Sequence, residues 1–521
     1  MNPLRSKIQP FDFAWWEMVL MRAFFAWVML KAFPGRMDFG GQPYPVGLAR
    51  YFDLTFLSNP GIFGWLHWIF VAGLVFYVGG RGLALALPVL TLLLSLVGAL
   101  RNSQGATEHS FQIIALVALA QSLWYCRALR FGLPLALAVL WPMRAAPSAP
   151  LKACAAAACI GLGWWLWRIA ESKWLPAPVR RTSLENHRIG TFFALQAVVA
   201  VYVTCGLSKV ITSGFIGWIA NARNFPLQLI KNERSDYYNT LAAAAVETTG
   251  GITEFFHVLP RLAEEAMRAT PAVGAVLLGA ALLLELGTWT ALLSRGWAAL
   301  VGLLLIMFHL SVSQLMKLNF EENMRVLLIF FVNPPYWIVR FAKIVRRAPD
   351  AAPAPADASP ARGRLHAAFR FAPAAGLTLL LLALRENYPF SHFPMYSSLA
   401  SYTYYIYISG SDGNPLPIVS LAGVRTDFLK KIYNRELEKV REELKKSGRN
   451  SRATIRQLTA DQRHPAAETT LDWLLKNCSE PGRQQIEPLR PLRITQVELF
   501  LDQGRVRENQ FAFDERQRQP P

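Results

Sequence analysis

The sequence predicts a membrane all-α bundle of about eleven spans, followed by a small α+β extracytoplasmic domain. Three observations predict it. Of the 521 residues 53% are hydrophobic and only 17% charged, too apolar for an ordinary soluble chain and too polar for spans alone. Apolar runs of the length a bilayer requires, roughly 20 residues, recur along the first three quarters. Beyond Leu384 those runs stop, and strand and turn signals replace them.

The expected spans lie near Trp15–Phe33, Ile62–Val78, Leu83–Leu100, Phe111–Cys126, Phe131–Met143 and Ala153–Trp167. Five more follow near Phe192–Leu207, Ala272–Leu293, Trp297–Met316, Val326–Val339 and Phe371–Leu384. Met1 to Pro10 lacks the short apolar core and cleavage site of a signal peptide, so the first run reads as a retained anchor. Between the last two spans, the Ala/Pro stretch Ala348–Arg362 has no apolar periodicity and reads as a flexible linker.

After the last span, Tyr402–Ser409 is rich in β-forming residues, and Ser411-Asp412-Gly413-Asn414 is a turn signal before Leu416–Leu421. Arg425–Lys446 carries Phe428, Leu429, Ile432, Leu437, Val440 and Leu444 at helical spacing. A second helix is expected over Ala466–Asn477. Arg493–Leu501 and Arg505–Phe513 flank Asp502-Gln503-Gly504 as a closing hairpin. The divisions are therefore a multi-pass domain over 1–347, a cytoplasmic linker over 348–370, a last span over 371–384 and an outer domain over 385–521.

Net charge is +19, yet only +4 of it lies from Arg385 onward. The rest sits in particular loops of the apolar part. With Arg5 and Lys7 placed inside, alternate loops hold Arg81, then Arg127 and Arg130, then Arg168 to Arg188, Arg295, and the run from Arg340 to Arg370. That is the positive-inside pattern. It predicts a cell-membrane protein (a bacterial inner membrane) with a cytoplasmic N-terminus and an extracytoplasmic C-terminal domain. No basic patch combines with stacking aromatics, so nucleic acid is excluded as a partner and the lipid bilayer takes its place. Five cysteines without a CxxC or Cys/His cluster predict no metal centre.

Ionisable groups inside spans are costly and tend to face a bundle interior. Arg22, Lys209, Glu285 and His309 are such groups, with His109 just before the fourth span. Each has a bland reading. A guanidinium does not deprotonate, so Arg22 reads first as a structural clamp, as does the polar Asn102. Glu285 could simply pair with a basic neighbour, His309 could be a satisfied bundle histidine, and Lys209 could snorkel to the interface. A buried Lys209 would instead offer a neutral amine as a base.

Arg101–Cys126, with His109 and Ser110, resembles the Asn-His-Ser helix start of the vitamin K-dependent γ-glutamyl carboxylases. Gly206-Leu207-Ser208-Lys209 is similar to their glycine and lysine pair just past a span. Leu282–Asn319 is similar to an acidic residue before an apolar helix, then His309-x-x-x-Ser313-Gln314-Leu315. The helix around Arg22 and the stretch Phe393-Pro394-Met395-Tyr396-Ser397 resemble the wider group sharing the horizontally transferred transmembrane (HTTM) domain. The resemblance implies Lys209 as the initiating base and His109 as its assistant. It implies His309 and Gln314 in a quinone pocket, with Glu285 as structural or proton-relay partner. The cofactor it implies is reduced vitamin K or another quinol, with no metal, and the substrate a peptide or protein on the outer side. The chain departs from that pattern in having one lysine where the enzymes have two, and a much shorter outer domain. The first reading is a quinone-dependent membrane enzyme with a lysine base. The second is a non-enzymatic scaffold or assembly factor whose outer domain docks a partner. A transporter is third, because no paired halves with interrupted twin helices are found.

Overall fold

The structure, a computed structural model, describes residues 11–37, 39, 41–105, 109–140, 142, 149–173, 183–241, 262–345, 360–393, 399–446, 454–478, 480–502 and 505–515. Most of the linker and all but Phe393 of the Phe393–Ser397 motif lie outside them. So do Gln503 and Gly504 of the expected hairpin turn.

Helices stand at the expected apolar runs. The first is α1 (Trp15–Ala32), then α2 (Pro60–Gly79), α3 (Leu83–Asn102), α4 (His109–Tyr125), α5 (Arg127–Leu140), α6 (Ala149–Lys173) and α7 (Ser183–Ser213). A six-residue helix, α8 (Phe215–Ala220), and the polar α9 (Phe225–Thr240) come before α10 (Pro271–Gly287) and α11 (Arg295–Met316). Among the described residues, six stretches are long and apolar enough to cross a membrane: 60–79, 83–102, 183–213, 271–292, 295–316 and 321–342. Apolar helices over 111–125, 151–166 and 371–384 are shorter.

The bundle has an apolar core that encloses a few polar groups, and its outer surface is apolar as well. On α1, Trp15, Phe24 and Trp27 face outward, while Glu17, Met18, Arg22 and Phe25 are buried. Trp65, Trp68, Leu85, Val276 and Met307 are likewise exposed, Trp65 by 75%. Large apolar side chains in that position would be unstable in water and suit hydrocarbon. This arrangement marks a membrane protein.

The run expected as one helix near Val326–Val339 is interrupted. Helix α12 (Glu321–Leu327) passes through a π-helical turn at Leu328–Val332 to Asn333, which takes a left-handed conformation (φ 51°). Helix α13 (Pro334–Val345) starts there. Pro334 and Pro335 follow, and a proline cannot continue the hydrogen-bond ladder of the preceding helix; the Asn333 side-chain amide donates to Glu17 Oε1 at 2.5 Å. The same Glu17 pairs with Arg295 at 2.6 Å, tying α1, α11 and the α12–α13 break together at one end of the bundle. Helix α14 (Pro360–Leu384) then crosses beside α7.

The C-terminal part is a three-stranded antiparallel sheet in the order β1 (Tyr402–Ser409), β2 (Arg493–Asp502), β3 (Arg505–Asp514). Tyr402 opposes Phe500, and Arg493 opposes Asp514. The 411–414 turn forms, with Asp412 Oδ1 accepting from Asn414 N at 2.9 Å. Leu416–Leu421 does not continue as a strand: only Pro415 bridges Ser409, and α15 (Ile418–Ala422) follows. Helix α16 (Thr426–Lys446) matches its expected span. Helix α17 (Ala460–Asn477) begins six residues before the expected start, because Thr459 and Gln462 close a capping box. The short α18 (Glu480–Ile486) precedes β2.

Alternate residues face opposite sides of a sheet, and here both sides are covered. Tyr404, Ile406, Ile408, Ile494 and Phe513 pack with Leu429, Tyr433, Leu437 and Leu474 of α16 and α17. On the other face, Tyr405, Val497 and Leu499 pack with Leu227 of α9, and Tyr238 stacks on Tyr407 at 4.3 Å. The connection between α8 and α10 therefore supplies a layer against the C-terminal sheet. Thr426 N, donating to Asn239 Oδ1 at 2.7 Å, fixes α16 to α9.

Candidate functional site

Helices α7 and α10 touch at Gly206. A Cβ there would lie 2.8 Å from Leu286 Cδ2 and 3.2 Å from the Leu286 amide nitrogen, so only glycine allows the approach. The contact brings Lys209, three residues further along α7, to Glu285. Lys209 Nζ donates to both carboxylate oxygens, at 2.6 and 2.5 Å, and both side chains are buried. Glu285 does pair with a basic neighbour, as its bland reading had it. Lys209 does not snorkel. Its ammonium lies 5.6 Å from the centroid of the buried Trp218 ring on α8, within cation–π range.

Tyr202 lies two turns before Lys209 on the same face of α7. Its hydroxyl meets His309 Nε2 at 2.6 Å, and the His309 ring stacks on Phe320 at 4.7 Å. Tyr202 also neighbours Asn323 at the start of α12, and His309 lies within electrostatic reach of the Lys209 ammonium. Three buried polar atoms here have no hydrogen-bond partner: His309 Nδ1, Ser313 Oγ and Asn323 Oδ1. Such atoms are rare in a satisfied interior. Gln314 is half-buried and lies about 140° around α11 from His309. The polar neighbour on the His309 face is Ser313 instead.

His109 belongs to a second cluster. Its Nδ1 is 2.7 Å from Gln112 Oε1 and 3.4 Å from Ser391 Oγ, and its ring is 5.6 Å from Phe393. Ser391 donates to Glu386 Oε1 at 2.5 Å, and His392 Nδ1 is 3.2 Å from the same oxygen. A short hydrogen bond from Ser208 Oγ to the His392 carbonyl joins this cluster to the residue beside Lys209. Lys209, Glu285, His309 and Tyr202 therefore gather on one side, and His109 stands behind the 385–393 segment without contacting them. Asn102 is buried and donates to the Gly98 carbonyl at 2.7 Å, closing the end of its own helix. Arg22 lies elsewhere in the bundle, against His187.

Sequence reasoning missed Tyr202, Asn323, Glu386 and Ser391. Tyr202 carried a signal, the seven-residue spacing to Lys209 on an apolar helix. Glu386 and Ser391 depend on the fold of an irregular segment and carried none.

Burial pushes the Glu386 carboxyl up to about 6, against the Ser391 hydrogen bond and the Arg435 and Lys431 charges that pull it down. Its ordinary value is 4.5, so the folded state binds this proton first. Above pH 6 the carboxylate is charged in both states and its burial destabilises the fold. As pH falls from about 6 to 4.5 that cost is relieved, by up to about 2 kcal/mol. Glu386→Gln should remove this part of the stability gain on acidification, read as the difference between the thermal unfolding midpoints at pH 7.5 and 5.0. An unchanged difference would place the carboxyl in water.

No family model, curated protein or solved structure matches this chain.

Proposed function

We propose that this chain is a multi-pass enzyme of the bacterial inner membrane, similar to the vitamin K-dependent carboxylases and carrying the HTTM type of transmembrane domain. Lys209 and Glu285 together move a proton to and from a lipid-soluble substrate. On this reading the chain crosses about eleven times, with its N-terminus cytoplasmic and its C-terminal domain extracytoplasmic. The buried two-oxygen contact of Lys209 with Glu285, beside His309 and Tyr202, carries the proposal.

The two-oxygen contact sets the Lys209 amine beside a carboxylate with which it can exchange a proton. When Glu285 holds the proton, Lys209 Nζ is free to take another from a weakly acidic hydroxyl, and the resulting ammonium stands next to the developing oxyanion. The unpartnered His309 Nδ1, Ser313 Oγ and Asn323 Oδ1 fit the oxygens of a quinol. A reduced quinone bound there would supply the acidic hydroxyl. His109 then acts through Ser391, His392 and Ser208 rather than on the reacting atoms.

The completeness of the Lys209–Glu285 contact also favours a second reading, in which the pair only locks α7 to α10 in a scaffold. Lys209→Arg separates the two, since arginine keeps the charge and the two-point contact and cannot deliver a free base. The protein in lipid nanodiscs, with reduced vitamin K, labelled bicarbonate and a glutamate peptide, should incorporate label. Lys209→Arg should abolish incorporation and leave the unfolding midpoint within a few degrees of the parent. Equal incorporation by the variant, or none by the parent, would overturn the enzyme reading.

A further inference from the structure

Among the described residues, one buried cation that the proposed chemistry leaves unused is Arg22. Buried charges are tolerated where a counter-charge or a full set of hydrogen bonds offsets desolvation. Lys209, Arg295 and Arg463 each meet a carboxylate. Arg22, 6% exposed, meets none among the described residues. Its one hydrogen-bonding neighbour is His187 on α7, with Nη1 3.3 Å from Nδ1.

That neighbour is neutral. A guanidinium only donates, so His187 Nδ1 must accept, and it accepts the Tyr125 hydroxyl as well, at 3.1 Å. The ring proton then sits on Nε2, 3.3 Å from Ser183 Oγ. His187 supplies orientation and no negative charge.

Around the guanidinium, further polar atoms are left over. Arg22 Nε is buried without a partner. The Tyr77 hydroxyl, at the end of α2, lies beside Gln121 of α4, yet neither it nor Gln121 Oε1 completes a hydrogen bond. Both side chains are almost wholly buried. The seat is also shaped for the guanidinium. Gly80 caps α2 with φ 69°, and a Cβ on it would lie 2.9 to 3.1 Å from Nη1, Nη2 and Cζ of Arg22.

We propose that Arg22, with the Tyr77 hydroxyl and the Gln121 amide, binds a phosphate-type oxyanion at the end of the bundle formed by α1, α2, α4 and the start of α7. The Arg22 fork supplies charge and two-point geometry that match a tetrahedral oxyanion. Tyr77 adds a buried hydroxyl beside the Gln121 amide. Ser183, beside His187, is exposed, so solvent reaches the start of α7 next to this cluster. This is a different site from the Lys209 cluster and does not depend on its chemistry.

The oxyanion is either inorganic phosphate or the phosphate of an anionic lipid, and one experiment tells them apart. The full chain in phosphatidylcholine nanodiscs is titrated with sodium phosphate, against sodium chloride at matched ionic strength, while thermal unfolding is followed. The titration is repeated with discs of increasing phosphatidylglycerol content and no phosphate. A saturable rise in the midpoint in the first series identifies the free ion, and a rise confined to the second identifies the lipid. In whichever series responds, Arg22→Gln should abolish the rise. Tyr77→Phe, which keeps the ring and the packing, should raise the half-saturating concentration about tenfold. No rise in either series, or a rise that Tyr77→Phe and Arg22→Gln leave unaltered, would overturn the proposal. If Arg22→Gln does not fold, Tyr77→Phe decides.

Discussion

Glu285→Ala should be the most damaging single substitution in the bundle. It leaves the Lys209 ammonium buried, with the Trp218 ring as its remaining neighbour. Removing one partner of a buried ion pair costs about 3–5 kcal/mol, a large share of the 5–15 kcal/mol by which folded domains are typically stable. The unfolding midpoint in detergent should therefore drop by many degrees. Replacing both partners, as Lys209→Met with Glu285→Leu, removes the stranded charge and fills the space with apolar side chains, so the double variant should recover most or all of the loss. It should at the same time lack the proton-transfer chemistry altogether. A Glu285→Ala protein as stable as the parent would mean that water reaches Lys209 and that the pair is not desolvated.

The contrast between the recovered fold and the lost chemistry matters because the two were unequally legible in the sequence. Runs such as Leu83–Leu100 and Trp297–Met316 announce helices by length and apolarity alone, and the structure has helices there. The identities of the buried polar residues were legible too, since a lysine, a glutamate and a histidine inside apolar runs stand out. Their partners were not. Lys209 and Glu285 are 76 positions apart, and their meeting depends on α7 and α10 crossing at Gly206, a packing contact that no periodicity encodes. His309 and Gln314 looked like one motif because they are close in sequence, whereas helical geometry turns them apart and brings in Ser313. Asn333 meets Glu17, 316 positions away, a contact that no local pattern announces. In the C-terminal sheet, the β-forming character of Tyr402–Ser409 was a local property and was legible. That the back of that strand would be covered by α9, from between two membrane helices, was a tertiary fact and was not.

The second large effect is expected at Gly98, through a residue of the outer segment. Tyr388 lies on α3 so closely that a Cβ on Gly98 would be 2.0 to 2.3 Å from its ring carbons and hydroxyl. Its own carbonyl sits against Gly47, which has φ 56° and donates its amide to Asn387 Oδ1 at 3.0 Å. Tyr388 is thus wedged with its ring against the bundle and its backbone against the turn before α2, and the 385–393 segment inherits its position from that wedge. Gly98→Ala should expel the ring and lose most of what burying an aromatic side chain contributes, about 3–5 kcal/mol. Tyr388→Ala should cost a similar amount. Because both changes remove one and the same contact, the double variant should be no worse than Tyr388→Ala alone. The consequence reaches the polar clusters: with Tyr388 out, Ser391 has no reason to stay at His109, nor the His392 carbonyl at Ser208. Amide exchange over 385–393 should accelerate in Gly98→Ala, while α16 and the sheet, held separately through Asn239 and Tyr238, should keep their protection. If exchange quickens uniformly across the outer domain instead, the wedge is not what positions the segment, and the link from His109 to Ser208 must be held by the domain as a whole.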